Sequence, residues 1–256
     1  MVKKSSISTY IPRIYKALLE RFGAQQWWPA DTPFEVIVGA VLTQNTNWGN
    51  VDKALTNLKR EGLLSLDAIR DIRIERLASL IKPAGYFNVK AKRLKNVVVF
   101  IAERYGSLER MREETVEDLR AELLSVNGIG PETADAILLY ALNKPIFVVD
   151  AYTKRFLRRH NMIGSDADYG QMQNVFHNAL GRDEKMFNEY HALIVRLGKD
   201  YCRTVPLCEE CPLKRIRYSH QARCSSCYRS FLKTEHRYLS GNKDRPVCSM
   251  CLALRD

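Results

Sequence analysis

The sequence predicts an all-α protein that carries a small cysteine-rich, zinc-ribbon-like appendage. Three observations lead there. Apolar residues recur at helical spacing along most of the chain. No segment before residue 218 alternates as a strand. All seven cysteines lie after residue 201, and beyond Cys211 the chain turns basic and poor in large aliphatics.

Ile11, Ile14, Tyr15, Leu18, Leu19 and Phe22 form the first helical stripe, and Gly23 ends it. Phe34, Ile37, Val38, Val41 and Leu42 form the second. Val51, Ala54, Leu55 and Leu58 follow and stop near Gly62. Short helices are expected over 66–71 and 74–81, ahead of the break KPAGYFN. A longer helix carries Leu94, Val97, Val98, Ile101 and Tyr105, with Gly106 as its stop. Thr115 is placed to cap the helix of Leu119, Leu123 and Leu124. Further helices are expected over 131–142, 151–160, 169–180 and 185–200. Residues 212–256 hold too little apolar area to fold alone, so a metal staple is expected there.

Hydrophobic residues make up 46% of the chain, enough for a buried core. Lys and Arg number 40 against 29 Asp and Glu, a net charge of +11. Such an excess suits a polyanion, and nucleic acid is the commonest one. No apolar run approaches the ~20 residues of a membrane span. The stretch MVKKSSISTY lacks the apolar core of a signal peptide, so the cytosol is the expected compartment, bacterial or archaeal, and the chain is expected to work as a monomer. In a reducing cytosol, clustered cysteines read as metal or cluster ligands, not as disulfides.

One stretch, NGIGPETADAI at 127–137, is unusually bare of side chains. Leu123 and Leu124 end one helix, and Pro131 suits the first turn of the next. The N–H groups at a helix start are unpaired, and glycine lets a bulky anion come close to them. A DNA phosphate fits such a place, and a plain turn between two helices fits it too. Downstream, ALNKPIFVVDAYTKRFLRRH puts Asp150 twenty residues after Gly130. Together these resemble the helix-hairpin-helix and Gly/Pro-Asp signature of the endonuclease III superfamily of DNA glycosylases. GAVLTQNTNWGNVDKAL at 39–55, GYFNVKAKRL at 85–94 and HALIVRLGKDYCRTVPLCEECPL at 191–213 resemble it as well. The resemblance implies a six-helix barrel over 34–148 with the hairpin at about 116–142. It implies a flanking helical domain made of 1–33 and 149–213, and a DNA-binding cleft between the two. Residues 214–256 remain as the cysteine-rich appendage. The implied partner is duplex DNA containing damaged bases.

The resemblance assigns Asp150 the catalytic role. Breaking an N-glycosidic bond builds oxocarbenium character on the sugar, which a nearby carboxylate stabilises while it orients water. Asp150 also suits the N-cap of the helix that follows. Members of the superfamily that also cut the strand carry a lysine two residues after the second glycine, and that amine forms a Schiff base. Here that residue is Glu132, and Lys144 and Lys154 lie off the motif, so AP lyase activity is expected to be weak or absent. Gly128, Gly130 and Thr133 belong to the DNA-gripping hairpin. Gln44 matches a glutamine that fills the gap left by a flipped nucleotide, whose extrusion costs a few kcal/mol. Asn45 and Asn47 are placed to assist, and helix capping near residue 49 is the alternative for this polar turn. His191 reads as structural, and Tyr152 adjoins Asp150. Arg155, Arg158 and Arg159 suit either phosphate or solvent.

Trp27, Trp28 and Trp48 are the chain's three tryptophans. They suit core anchoring, and equally a base pocket. Alkylation at purine N3 or N7 leaves a positive charge on the base, which an indole face attracts. The pattern WWP, TPFE and LTQNTNW resembles the 3-methyladenine DNA glycosylase III branch, which implies alkylated purines as substrates. Oxidised pyrimidines or T/U mismatches with lyase activity, or lesion binding without catalysis, are the alternatives.

Cys224-x2-Cys227 and Cys248-x2-Cys251 form a tetrathiolate pattern for structural zinc, and the length between them suits a β-hairpin. Cys202, Cys208 and Cys211 form no complete site by spacing alone. The superfamily often carries a [4Fe–4S] cluster with Cys-x6-Cys-x2-Cys-x5-Cys spacing, whereas this chain has Cys-x5-Cys-x2-Cys and Arg217 at the fourth position. A cluster would need Cys224, His220 or His236 to complete it; otherwise the three are vestigial.

Overall fold

The computed structural model describes residues 7–25, 27–160, 162–164 and 166–216, with the backbone of four short strands beyond them. The chain divides into two compact units. One is Gln26–Val148, and the other joins Met1–Gln25 to Val149–Asp256.

α1 spans Ile7–Phe22 and buries Tyr10, Ile11, Ile14 and Leu18, the stripe read from the sequence. Gly23 closes it in the left-handed region at φ 69°. α2 spans Pro33–Leu42, with Pro33 at its first position and the Thr32 side chain accepting from Glu35 N–H. Every residue from Phe34 to Leu42 is buried, so α2 is the central helix of its unit. Around it come α3 (Trp48–Arg60), α4 (Leu66–Asp71), α5 (Ile74–Leu80), a 3₁₀ turn at Lys82–Ala84 and α6 (Phe87–Arg104). α7 (Leu108–Glu113), α8 (Val116–Ser125) and α9 (Pro131–Ala136) complete the unit. Thr115 caps α8 as expected.

The single helix expected over 131–142 is not continuous. After Ala136 the chain widens into a π-helix, Ile137–Ala141, and Leu142 N–H bonds to Ile137 O, five residues back. Every residue of that turn is buried, so packing on all sides, not a periodic stripe, sets its winding.

In the other unit, α11 (Tyr169–Leu180) and α12 (Glu184–Asp200) pack on α1, and α10 (Ala151–Arg159) packs on α12. The buried Tyr190 hydroxyl of α12 donates to Ile11 O of α1 at 2.9 Å. α10 and α12 meet where Gly198 lies against the Tyr152 ring. A Cβ there would sit 2.2 Å from Tyr152 Cδ1. Beyond residue 220, β1 (Gln221–Arg223) pairs antiparallel with β2 (Ser230–Leu232), and β3 (His236–Tyr238) with β4 (Pro246–Cys248). β3 and β4 are an antiparallel pair in the stretch between the two Cys-x2-Cys motifs, where a β-hairpin was expected, and β2 of that stretch pairs with β1 ahead of Cys224. Cys224, Cys227 and Cys251, three of the four expected zinc ligands, lie outside the described residues. No described helix is long and apolar enough to cross a membrane.

Candidate nucleic-acid interface and hydrolytic carboxylate

In the unit Gln26–Val148 the glycine hairpin joins α8 to α9. Arg120 of α8 forks onto the fully buried Asp135 of α9, with contacts of 2.7 and 3.3 Å, and so clamps the two helices. Gly128 sits at φ 92°, a conformation open to glycine. Gly130 is the N-cap of α9 at φ −95°, a value any residue adopts, and a Cβ there would meet nothing within 4 Å. Folding thus demands a glycine at 128 and not at 130. Thr133 is buried, and Glu132 is exposed in the first turn of α9.

The turn after α2 carries Gln44, and its side chain reaches the hairpin. Gln44 Nε2 donates to Gly128 O at 3.1 Å and to Thr133 Oγ1 at 2.9 Å. Gln44 Oε1 accepts from Arg93 Nη1 at 2.5 Å. Three residues that the sequence singled out, Gln44, Gly128 and Thr133, are one network. Asn45 is exposed at φ 54°. Asn47 caps α3 by accepting from Asn50 N–H at 3.2 Å, the capping role weighed from the sequence.

The three tryptophans cluster. Ring centroids lie 5.5 Å apart for Trp27 and Trp28, 5.3 Å for Trp28 and Trp48, and 6.4 Å for Trp27 and Trp48. Tyr140, from the π-helix, stands 5.0 Å from Trp28. Gly39 forms the floor: a Cβ there would come to 3.4 Å of Trp28 Nε1 and 3.5 Å of Trp48. The Trp28 indole N–H is buried and makes no hydrogen bond, which for a buried donor costs about 1–3 kcal/mol. Sequence reasoning missed Tyr140, because it lies in an unbroken apolar run, ILLYAL. It also missed Tyr86, the N-cap of α6, which is left-handed at φ 46° and 73% exposed. An aromatic directly after Gly85 at a helix start was the available signal.

In the other unit Asp150 is the N-cap of α10, and its Oδ1 accepts from Thr153 N–H at 2.7 Å. Its Oδ2 lies 3.7 Å from Nε2 of the buried His191 on α12. Burial pushes the Asp150 carboxyl up. The adjacent His191 imidazole and the Thr153 N–H outweigh that and hold it below the ordinary aspartate value. The result is a carboxylate that stays charged, with one oxygen committed to the helix and one directed to His191. Arg155 and Arg159 do not serve as free surface cations. Arg155 Nε donates to Cys202 O at 2.6 Å and its Nη2 to Gly198 O at 3.2 Å. Arg159 donates to Thr204 O at 2.8 Å and to Cys202 Sγ at 3.4 Å. Arg158 is exposed.

Cys202, Cys208 and Cys211 line one pocket together with Arg159, His160 and Tyr201. Among the described residues, no group of three or more His, Cys, Asp or Glu side chains is arranged to hold a metal ion. Arg217, at the superfamily's fourth cluster position, lies outside the described residues. The residues described do not by themselves fit a four-thiolate cluster.

Residues 38–181 match the family model described as "HhH-GPD superfamily base excision DNA repair protein". The Methanocaldococcus jannaschii protein named "Putative DNA repair glycosylase" is 52% identical over 208 residues, 80% of this chain and 94% of that protein. The structure of the H. pylori 3-methyladenine DNA glycosylase MagIII bound to 1,N6-ethenoadenine has a TM-score of 0.66 at 32% identity, covering 76% of this chain and 98% of that one. An endonuclease III–DNA complex has a TM-score of 0.70 at 20% identity, covering 82% and 94%, a likeness of fold.

Proposed function

Because the chain belongs to the HhH-GPD superfamily of base excision DNA repair proteins, we propose that it is a monofunctional DNA glycosylase that removes N-alkylated purines flipped out of duplex DNA. The observation that carries this reading is the aromatic cluster of Trp27, Trp28, Trp48 and Tyr140 over Gly39. An N-alkylated purine is a flat cation, and electron-rich ring faces favour it over the neutral base. The buried Trp28 N–H supplies an uncommitted donor in the same cluster. The similarity to a 3-methyladenine DNA glycosylase at 32% identity supports the same substrate class.

Asp150 supplies the hydrolytic chemistry. Its charged carboxylate stabilises positive character on the sugar as the N-glycosidic bond lengthens, and orients the incoming water. Glu132 offers no amine for a Schiff base, so the reaction stops at the abasic site. The hairpin takes a phosphate at the Gly130 N–H and the start of α9, and the open space at Gly130 suits that close approach. Tyr86 is the exposed aromatic that stacks in the opened duplex. The net charge of +11 adds sequence-independent affinity that falls steeply with salt. Cys224, Cys227, Cys248 and Cys251 hold a structural zinc. Their two Cys-x2-Cys pairs have the spacing of a tetrathiolate site, which supports that assignment, and Cys248 ends the strand β4.

The test is incubation with N-methylated duplex DNA and chromatography of the released bases, with borohydride trapping alongside. Release of 3-methyladenine or 7-methylguanine without a trapped cross-link is expected. A trapped cross-link overturns the monofunctional reading. Release only from oxidised or mismatched DNA overturns the substrate class.

A further inference from the structure

Lys90, Arg93 and Asn96 recur at every third position of α6 and so lie in a row on one face. Each reaches a different part of the two segments that meet at Gln44. Lys90 Nζ, fully buried, donates to Leu42 O, the last residue of α2, and to Ala84 O, both at 2.8 Å. Asn96 Nδ2 donates to Asn127 O at the start of the glycine hairpin, at 3.0 Å. Arg93 stands between them. Its guanidinium holds Gln44 Oε1, and its stem lies so close on Gly128 that a Cβ there would be 2.3 Å from Arg93 Cγ.

Gln44 is consequently held at both ends of its amide. Both N–H groups are used by the hairpin, at Gly128 O and Thr133 Oγ1, and the oxygen accepts from Arg93. In this state the side chain has no N–H left for an orphaned base. What it presents to DNA is its shape, fixed in place, and not its donors.

We propose that Arg93 is a positioning residue: through Gln44 and Gly128 it fastens the 43–46 turn to the 127–130 hairpin, so that the two segments engage damaged DNA as one preorganised piece. This deepens the glycosylase reading and rests on it for the role of those segments. Preorganisation is valuable here because a misplacement of about 1 Å at a reacting centre costs roughly a hundredfold in rate. Free movement of either segment would have to be frozen out at each flipping event.

The DNA-free arm of the test is amide hydrogen exchange on the whole chain. Arg93→Met keeps the stem over Gly128 and removes the guanidinium. Gln44→Ala removes the strut from its other end, and so provides a second variant should the first fold poorly. Both are expected to speed exchange in 43–46 and 127–130 together, by roughly tenfold or more, with α3 and α5 unchanged. The DNA arm compares single-turnover base release and undamaged-duplex affinity for each single variant and the double. Release is expected to slow by about ten- to a hundredfold in each single variant and hardly further in the double, with duplex Kd within about twofold. Unchanged exchange in the 43–46 turn overturns the proposal. So does additive loss together with weakened duplex affinity and a shallower salt slope, which would make Arg93 a direct phosphate contact. The exchange arm decides on Arg93 even where no base is released, an outcome that counts against the glycosylase reading alone.

Discussion

Substituting Gly128 by alanine tests how tightly the glycine hairpin is built. The new methyl would lie 2.3 Å from Arg93 Cγ, 2.9 Å from Cδ and 3.1 Å from Nε. Arg93 must leave or the hairpin must open. If Arg93 leaves, a charge-assisted hydrogen bond to Gln44 is lost, about 1.5–3 kcal/mol. The left-handed backbone at φ 92° adds about 1–2 kcal/mol for a residue with a Cβ. The sum is about 2.5–5 kcal/mol, a downward shift of roughly 1.2–2.5 M in urea midpoint for a slope of about 2 kcal/mol/M. Tryptophan fluorescence is the right assay, because Trp27, Trp28 and Trp48, all the tryptophans of the chain, lie in the unit Gln26–Val148. Gly130→Ala is the internal control: it meets no atom within 4 Å and loses only a glycine N-cap, about 0.5–1 kcal/mol, so it should move the midpoint by about 0.25–0.5 M. Its effect should appear in DNA affinity instead. A Gly128→Ala midpoint within about 0.5 M of the parent would refute the reasoning, since the Arg93 stem would then be free to move aside.

Asp150→Asn keeps a helix cap and Asp150→Ala removes it, so both should lose base release by about 10²–10³-fold, while the alanine should be less stable than the asparagine by ~1 kcal/mol; release assays and thermal unfolding separate the two. The carboxyl is depressed in the folded chain, so its contribution to stability is present above pH ~4 and lost as pH falls through its lowered value. Acid titration of unfolding in parent and Asp150→Asn should therefore converge only below that pH. Gly198→Ala drives a methyl into Tyr152 at 2.2 Å, and should destabilise by about 1–3 kcal/mol despite the better helix propensity of alanine, with slower base release because Tyr152 follows Asp150 by two residues. Burial, with Arg93 nearby, pushes the Lys90 ammonium down to about 8. The unfolded chain then binds the extra proton between pH ~8 and ~10.4, so the urea midpoint read by tryptophan fluorescence should rise over that window, and less so in Lys90→Met.

Helices with one apolar stripe were legible from the sequence because burial on one side writes a period into the chain. α1, α3 and α11 are examples, and the caps Asp150 and Thr115 follow the same local logic. The π-turn was not legible, since Ile137–Ala141 is buried all round and leaves no period to read. Gln44 and Asp150 were singled out by the motifs around them, and the structure puts the one on the glycine hairpin and the other at the start of α10. Arg93, Tyr140 and His191 were not, or not for their roles. Each acts on a residue tens of positions away, and a long-range partner leaves no trace in local spacing. Arg155 and Arg159 show the reverse error. They were read as candidate surface cations, yet the carbonyls they hold at Gly198, Cys202 and Thr204 lie some forty residues downstream.

The composite unit also bears on how the chain comes off the ribosome. Gln26–Val148 is one uninterrupted segment and is complete while the rest is still being made. α1 emerges before it with an apolar stripe of Ile11, Ile14 and Leu18, but its partners α11 and α12 are synthesised more than 140 residues later. The Tyr190 bond to Ile11 closes only then. Asp150 likewise waits for His191. The nascent protein thus acquires its hairpin and aromatic cluster first and its charged carboxylate last, and a prematurely terminated chain would carry the first without the second.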